Sequence, residues 1–357
     1  MKAIRNPDKM SYFLKHIDAM TGYVPGEQPR DRTFIKLNTN ENPYAPSQSV
    51  AEAMMPILLD GRLRLYPDPL ASEFRRTAAE LHGVDPSWIM AGNGSDDILT
   101  ILTRAFAGPG DVIASAQPGY ILYETLAELQ NAKFEIVPFP VNWIISPDDV
   151  IGLKNPKLFY LANPNSPSGT IMSPELVTEL AEALPCPLVV DEAYGDFATT
   201  NCISLVKTHP NVIVTRTFSK GYSLAGLRLG YCIARPEMIA GLNKVKDSYN
   251  CDMLALAGGT AALLDQEWLI ETRQKIWNTR ARLSSGAAEL GYLIPESHAN
   301  FIWCEGGPPA QEVYDALRDR DILVRLMKYP GREPALRITV GTDPQIDALL
   351  AALNEIV

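Results

Sequence analysis

At 357 residues the chain is too long for one small core and suits a large unit with a smaller companion. A formal net charge of −10 argues against a nucleic-acid surface, and no apolar run approaches the roughly 20 residues that span a bilayer. The N-terminal sequence (MKAIRNPDKMSYFLKHIDAM) has no apolar secretion-signal stretch, and the five cysteines (Cys186, Cys202, Cys232, Cys251, Cys304) form no C-x-x-C pair. Reduced thiols in a cytoplasmic protein are therefore expected. The four histidines (His16, His82, His209, His298) have no metal-ligand spacing, so no metal is expected.

Residues 1–30, with Pro25, Gly26, Pro29 and no sustained periodicity, are expected to form an extended arm. From about residue 50 to 245, amphipathic stretches such as 119–129 and 175–184 alternate with short apolar runs. Those runs lie at 111–114, 134–137, 158–161, 188–190, 212–214 and 229–233, a pattern that predicts a largely parallel sheet covered by helices. Beyond residue 250, long helical patterns (253–264 and 267–290) precede short strands near 301–304, 322–325 and 336–340. A last helix is expected to start with Asp343 as its cap and Pro344 in its first turn. The architecture predicted is α/β: an arm (1–30), a large domain (45–248) with a mostly parallel sheet flanked by helices, and a smaller α+β domain (31–44 and 249–357).

Four segments carry chemistry. In MAGNGSDD, Gly94 and Ser95 fall at the start of a helix, where free backbone N–H groups favour a phosphate; a plain helix cap is the alternative. In LVVDEAY, Asp191 stands at the carboxyl end of an apolar strand, where ligands of parallel sheets bind, or else caps a turn. In VIVTRTFSK, a strand delivers Thr217, Ser219 and Lys220 into a loop, and Arg228 follows eight residues after the lysine. A lysine whose pKa is lowered by burial and nearby cations can attack an aldehyde, and an arginine fork with hydroxyls suits a phosphate dianion. Pyridoxal phosphate has both groups, and a carboxylate such as Asp191 would keep its ring nitrogen protonated. Tyr194 is spaced to reach the ring's phenolic oxygen, and Tyr120 to stack on the ring. In LRITVGT, Arg337 sits among apolar strand residues and needs an anionic partner, from a substrate or from a structural salt bridge; Arg325 is a less specific candidate.

These segments, with LNTNENPYAPS, RLYPD, NPNSPSG, GYSLAGLRLGY and ANF, resemble the fold type I, class II aminotransferases in order and over nearly the whole chain. Within them the chain is similar to the histidinol-phosphate group. The resemblance implies a pyridoxal 5′-phosphate enzyme with Lys220 as the Schiff-base lysine, Asp191 at the ring nitrogen, Tyr194 on the phenolic oxygen and Tyr120 stacked on the ring. The phosphate would lie among Gly94, Ser95, Asp96, Thr217, Ser219 and Arg228. Tyr66 would reach the phosphate in a neighbouring subunit, implying a homodimer. Tyr23 and Asn40 would line the substrate pocket, and Arg325 and Arg337 would bind substrate anions. Ser166 stands where the family has an asparagine that bonds the phenolic oxygen; Asn165 is expected to take over that contact, with Ser166 as the alternative.

The activity implied is amino transfer between L-histidinol phosphate and 2-oxoglutarate, a step of histidine biosynthesis, with small molecules and a second copy of the chain as partners. No nucleic-acid or membrane partner is expected. An aromatic or broad-specificity aminotransferase and a threonine-phosphate decarboxylase share much of the pattern. A non-catalytic regulatory module that binds the same cofactor is a further alternative.

Overall fold

The computed structural model describes residues 11–21, 27 and 34–357. Most of the expected arm, including Tyr23, lies outside the described residues. Within it, Lys15–Ala19 closes one helical turn against the helix Leu122–Leu129 instead of running extended.

After the short strand β1 (Ile35–Lys36), seven strands make one sheet: β2 (Ile89–Gly92), β3 (Val112–Gln117), β4 (Lys133–Pro138), β5 (Pro156–Ala162), β6 (Leu188–Asp191), β7 (Val212–Thr217) and β8 (Gly230–Ile233). Their spatial order is β2-β8-β7-β6-β5-β3-β4. β8 runs antiparallel to both neighbours, and the remaining pairs are parallel. Every residue of β6 and β7 is buried, which is why these strands read as continuous apolar runs. Alternate side chains nevertheless go to opposite faces. Leu188, Val190, Val212 and Val214 join one core, while Val189 and Ile213 join the other. Full burial of each such side chain contributes about 1.5–3 kcal/mol.

The C-terminal part holds β9 (Phe301–Cys304), β10 (Ile322–Leu323), β11 (Arg325–Met327) and β12 (Ala335–Thr339). The single strand expected at 322–325 is two. Ile322–Leu323 pairs in parallel with β1, and Arg325–Met327 pairs antiparallel with β12, which also pairs with β9. The last helix, Asp343–Ile356, also differs from expectation: its cap is Thr342, in a capping box with Gln345, and Asp343 is already helical. The threonine wins because Gln345 then returns a bond to the Thr342 N–H at 2.8 Å.

Beneath the carboxyl ends of β6 and β7 lies a buried ionic group. Arg216 Nε meets Glu192 Oε2 at 3.2 Å, and Arg216 Nη1 donates to Asp196 Oδ1 at 3.0 Å. It ties the turn after β6 to the strand that leads to Lys220. A side chain on Gly195 would lie 2.7 Å from Arg216 Nη1, and one on Gly221 would meet the Asp196 carboxylate at 2.3 Å. Removing the cation strands two buried carboxylates. Arg216→Ala should therefore lower the unfolding free energy by about 3–5 kcal/mol in urea denaturation, and a loss under about 1 kcal/mol would contradict this account.

Candidate active site

Asp191 ends β6, and its carboxylate is buried on the sheet's carboxyl edge. Three donors hold it: Tyr123 Oη at 2.7 Å from the helix Leu122–Leu129, Thr215 Oγ1 at 3.0 Å from β7, and the Ala193 N–H at 3.2 Å. Burial raises its proton affinity, and these three hydrogen bonds pull it partly back. Burial and the neighbouring carboxylate also push the Tyr123 phenol well above its ordinary value. Tyr160 stacks on Tyr123 at 4.6 Å and fixes its ring. Tyr120 lies edge-on to Tyr123 at 5.7 Å, its hydroxyl donating to Asp96 Oδ1 at 3.2 Å.

Lys220 follows β7, and its Nζ donates to the Thr39 carbonyl at 3.0 Å. Burial first, then Arg337 and, more weakly, Arg228 lower its pKa to about 8 against the opposing pull of Glu41 and Asp96. Around it a set of donors converges. Arg228 Nη1 donates to Ser219 Oγ at 3.1 Å, Thr217 Oγ1 donates to the same oxygen at 3.1 Å, and Arg228 Nη2 sits 3.4 Å from Asp96 Oδ2. The helix Ser95–Phe106 begins here with Gly94 as its N-cap at φ 87, so the end of the helix that carries its free N–H groups lies beside the guanidinium. A side chain at Gly94 would come within 2.8 Å of Arg228 Nη2. Arg228 is itself held in the left-handed region, at φ 52. Gly94, Ser95, Asp96, Thr217, Ser219 and Arg228 are thus brought together as a cradle with the donors a phosphate needs.

Residues 38–42 thread through the site. Asn40, at φ 56, turns the chain so that its Nδ2 donates to Tyr194 Oη at 2.9 Å while its carbonyl accepts from Asn300 Nδ2 at 3.0 Å. Asn42 Nδ2 donates to the Gly221 carbonyl at 3.1 Å, and Arg337 Nη2 donates to the Asn38 carbonyl at 3.2 Å. Arg337 Nη1 also donates to Ser166 Oγ at 3.1 Å, and its guanidinium lies over the Phe301 ring, against which Tyr194 packs edge-on. Arg325 stands opposite Arg337 across β11 and β12 and lines a cavity of about 190 Å³ with Glu27, Asn38 and Tyr314.

Two expectations meet a different geometry. Asn165 does not point into this cluster: its buried amide is satisfied by the Pro118 carbonyl at 3.3 Å and by Ser168 Oγ at 2.9 Å. Ser166 stands there instead, its hydroxyl accepting from Arg337 Nη1 and helping to offset the effect of burial on the Tyr194 phenol. Tyr66 takes no part in the cluster of its own chain. It is 79 % exposed and stacks on Tyr249 at 4.5 Å. Lys246 braces both segments, donating to the carbonyls of Pro69 at 2.9 Å and Asp247 at 3.0 Å. Tyr123, Thr215, Asn42 and the Thr39 carbonyl escaped the sequence reading. Only Tyr123 left a signal there, as a second tyrosine one helical turn after Tyr120.

The family profile of aminotransferases of class I and II matches residues 32–353. The chain belongs to the class I and II aminotransferases. It is 49% identical over 341 residues to a histidinol-phosphate aminotransferase of Rhodopirellula baltica, covering 95% of this chain and 94% of that one. A histidinol-phosphate aminotransferase of Syntrophotalea carbinolica is 47% identical, covering 97% of this chain and 100% of its own. Among solved structures, the histidinol-phosphate aminotransferase of Sinorhizobium meliloti in complex with pyridoxal-5′-phosphate superposes with a TM-score of 0.89 at 29% identity, covering 98% of each chain.

In this aminotransferase Tyr123→Phe removes the shorter of the two side-chain donors to Asp191. The carboxyl pKa should rise, read by isotope-edited infrared or NMR titration, with stability falling by about 1–2 kcal/mol. An unmoved or lowered titration would mean that Thr215 and the Ala193 N–H suffice to set the carboxylate's charge.

Proposed function

We propose that this aminotransferase uses pyridoxal phosphate to move an amino group between L-histidinol phosphate and 2-oxoglutarate. One observation carries the reading of the site: a half-buried lysine with its pKa lowered to about 8 follows β7 beside a phosphate cradle, and the neighbouring strand β6 ends in a buried carboxylate. The substrate pair is supported by curated relatives at 47–49% identity over nearly the full length.

The donor set fits the cofactor. Asp191, whose burial favours a bound proton or a positive partner, suits a protonated ring nitrogen. Ser95, Thr217, Ser219 and Arg228, with Gly94 and Asp96 shaping the turn, suit the phosphate. Tyr120 is the candidate for stacking on the ring. Tyr194 and Ser166 are the candidates for its phenolic oxygen, replacing the expected Asn165. When bound, the cofactor supplies an aldehyde that takes up an amino group and a ring that withdraws electrons from the substrate's α-carbon.

The chain's own residues do the rest. Lys220 would anchor the cofactor through its aldehyde, and its Nζ, as a free base, would accept and hold the proton of the substrate's α-carbon. A pKa near 8 leaves an appreciable neutral fraction at physiological pH, whereas an ordinary lysine at about 10.4 would be almost wholly charged. Arg337 receives the phosphate of one substrate and a carboxylate of the other, both of which accept a two-pronged guanidinium bond. Asn40 and Arg325 complete the substrate side, with Tyr23 proposed from the sequence alone.

Tyr66 supports a homodimer with shared sites. It is exposed, as are Leu58, Leu59, Leu63, Leu65 and Leu70 in the same stretch of chain, apolar side chains that a second subunit could cover. The proposed division is a large unit of residues 45–248 and a smaller one of 31–44 with 249–357. Five buried free cysteines fit a cytoplasmic location.

Lys220→Ala should lose amino transfer by about ten-thousand-fold or to background, together with the absorbance that borohydride otherwise locks onto this residue. A mutant that keeps the adduct would make another lysine the anchor. L-Histidinol phosphate should be turned over in preference to phenylalanine or threonine phosphate; absent transfer from it would reject the substrate but not the cofactor. Mixing K220A with Y66A subunits should give more activity than the average of the two alone, approaching about a quarter of wild type, since one intact site forms per mixed dimer. Activity at or below that average would reject the shared site.

A further inference from the structure

Tyr66 has little packed around it. Its ring is 79 % exposed, and Tyr249, which stacks on it at 4.5 Å, is 47 % exposed. Two exposed rings on separate segments keep one place only if the backbones that carry them are tied together. On the Tyr66 side, the Asp68 carboxylate accepts from the N–H groups of Leu70 at 2.9 Å and Ser72 at 2.7 Å, which anchors that segment to the helix Ser72–His82.

Lys246 supplies the tie between the two segments. Its own N–H bonds the Leu242 carbonyl at 3.1 Å, just past the helix Pro236–Leu242 with its buried Ile239 and Leu242, so the side chain reaches out from a packed element. The ammonium donates at 2.9 Å to the carbonyl of Pro69, three residues after Tyr66, and at 3.0 Å to that of Asp247, two before Tyr249. Longer contacts of 3.5 Å reach the Ser248 carbonyl and Asn250 Oδ1. One cation thus holds the backbone on both sides of the stacked pair, through charge-assisted hydrogen bonds.

Asn250 offers Lys246 a second destination. Its Nδ2 donates to the Ala91 carbonyl and to Asp97 Oδ2, each at 3.1 Å, and Asp97 lies in the first turn of the helix that opens the chain's own phosphate cradle. That carboxylate also accepts from the Asn93 N–H at 2.9 Å, so the cradle has a hold of its own. The shorter bonds of the ammonium go to the tyrosine segments instead. We infer that Lys246 is a positioning residue for Tyr66, and that its effect on cofactor binding is delivered to the neighbouring subunit. The inference rests on the proposed homodimer in which Tyr66 reaches the neighbour's phosphate.

The test titrates apoprotein with pyridoxal phosphate and counts, by mass spectrometry, the borohydride-locked adduct on the Lys220 peptide. Lys246→Met keeps the stem and removes the donors. Its half-loading concentration should rise roughly tenfold, as should that of Tyr66→Phe, the scale of one lost hydrogen bond to a charged group. The double variant should stay near Tyr66→Phe, since a misplaced hydroxyl has nothing further to lose once it is gone; additive losses would overturn the inference. Mixing then decides which subunit is served. Combined with Lys220→Ala chains, only the Lys246→Met chains can form the adduct, and in a mixed dimer their site receives Tyr66 from a chain whose Lys246 is intact. A phase of wild-type affinity, missing from Lys246→Met alone, should therefore appear. Its absence, where Tyr66→Ala is restored by the same Lys220→Ala partner, would overturn the inference and spare the shared site. Failure of both mixtures would overturn the two together. If Lys246→Met does not fold, Tyr249→Leu, which withdraws the stacking ring, carries the same titrations with the same expected pattern.

Discussion

Burial of the Asp191 carboxylate is the constraint on which the site depends. A carboxylate at the end of a fully buried strand is costly unless donors meet it, and two side chains from different elements do so, Tyr123 and Thr215. Those contacts fix the helix Leu122–Leu129 and β7 relative to β6, and β7 in turn carries Thr217, Ser219 and Lys220. The carboxylate thus stands at a fixed place on the strand next to the one that leads to the lysine. Its raised proton affinity disposes it toward a positive partner, the place proposed for a protonated ring nitrogen.

Opposite this rigid floor lies a softer wall. Residues 38–42 belong to neither sheet's interior, yet they touch Lys220, Tyr194, Gly221, Arg337 and Asn300 through backbone carbonyls and asparagine side chains. Asparagine suits this work because it offers a donor and an acceptor without charge and tolerates the left-handed backbone seen at Asn40. Charge is kept for the few groups that answer charge on a ligand or at the lysine.

Much of this was legible in the sequence. Apolar runs separated by amphipathic stretches give away a parallel sheet, and Lys220, Asp191, Arg228 and the Gly94–Asp96 turn can be read because each is a chemically costly residue in an apolar setting. What stayed hidden depends on tertiary geometry. β2 (IMAG) is short, poor in β-branched residues and paired only with β8, so nothing local announces it. Tyr123 and Thr215 look like core residues until Asp191 is found between them. Where Asn165 points depends on which neighbours satisfy its buried amide, and the Pro118 carbonyl that captures it comes from a loop 47 residues away. Thr342 lost to Asp343 on paper because either residue can cap a helix, and only Gln345 distinguishes them.

The turn at Gly94 has a consequence for the chain's room to vary. Its backbone angle excludes most side chains, and the space a first carbon would occupy is already close to the guanidinium of Arg228. A smaller residue at position 228 would free that space but not the angle, so position 94 stays closed to side chains whatever stands opposite it. The stretch of chain that leaves its N–H groups most open to a visiting anion is, for the same reason, the stretch with the fewest permitted spellings.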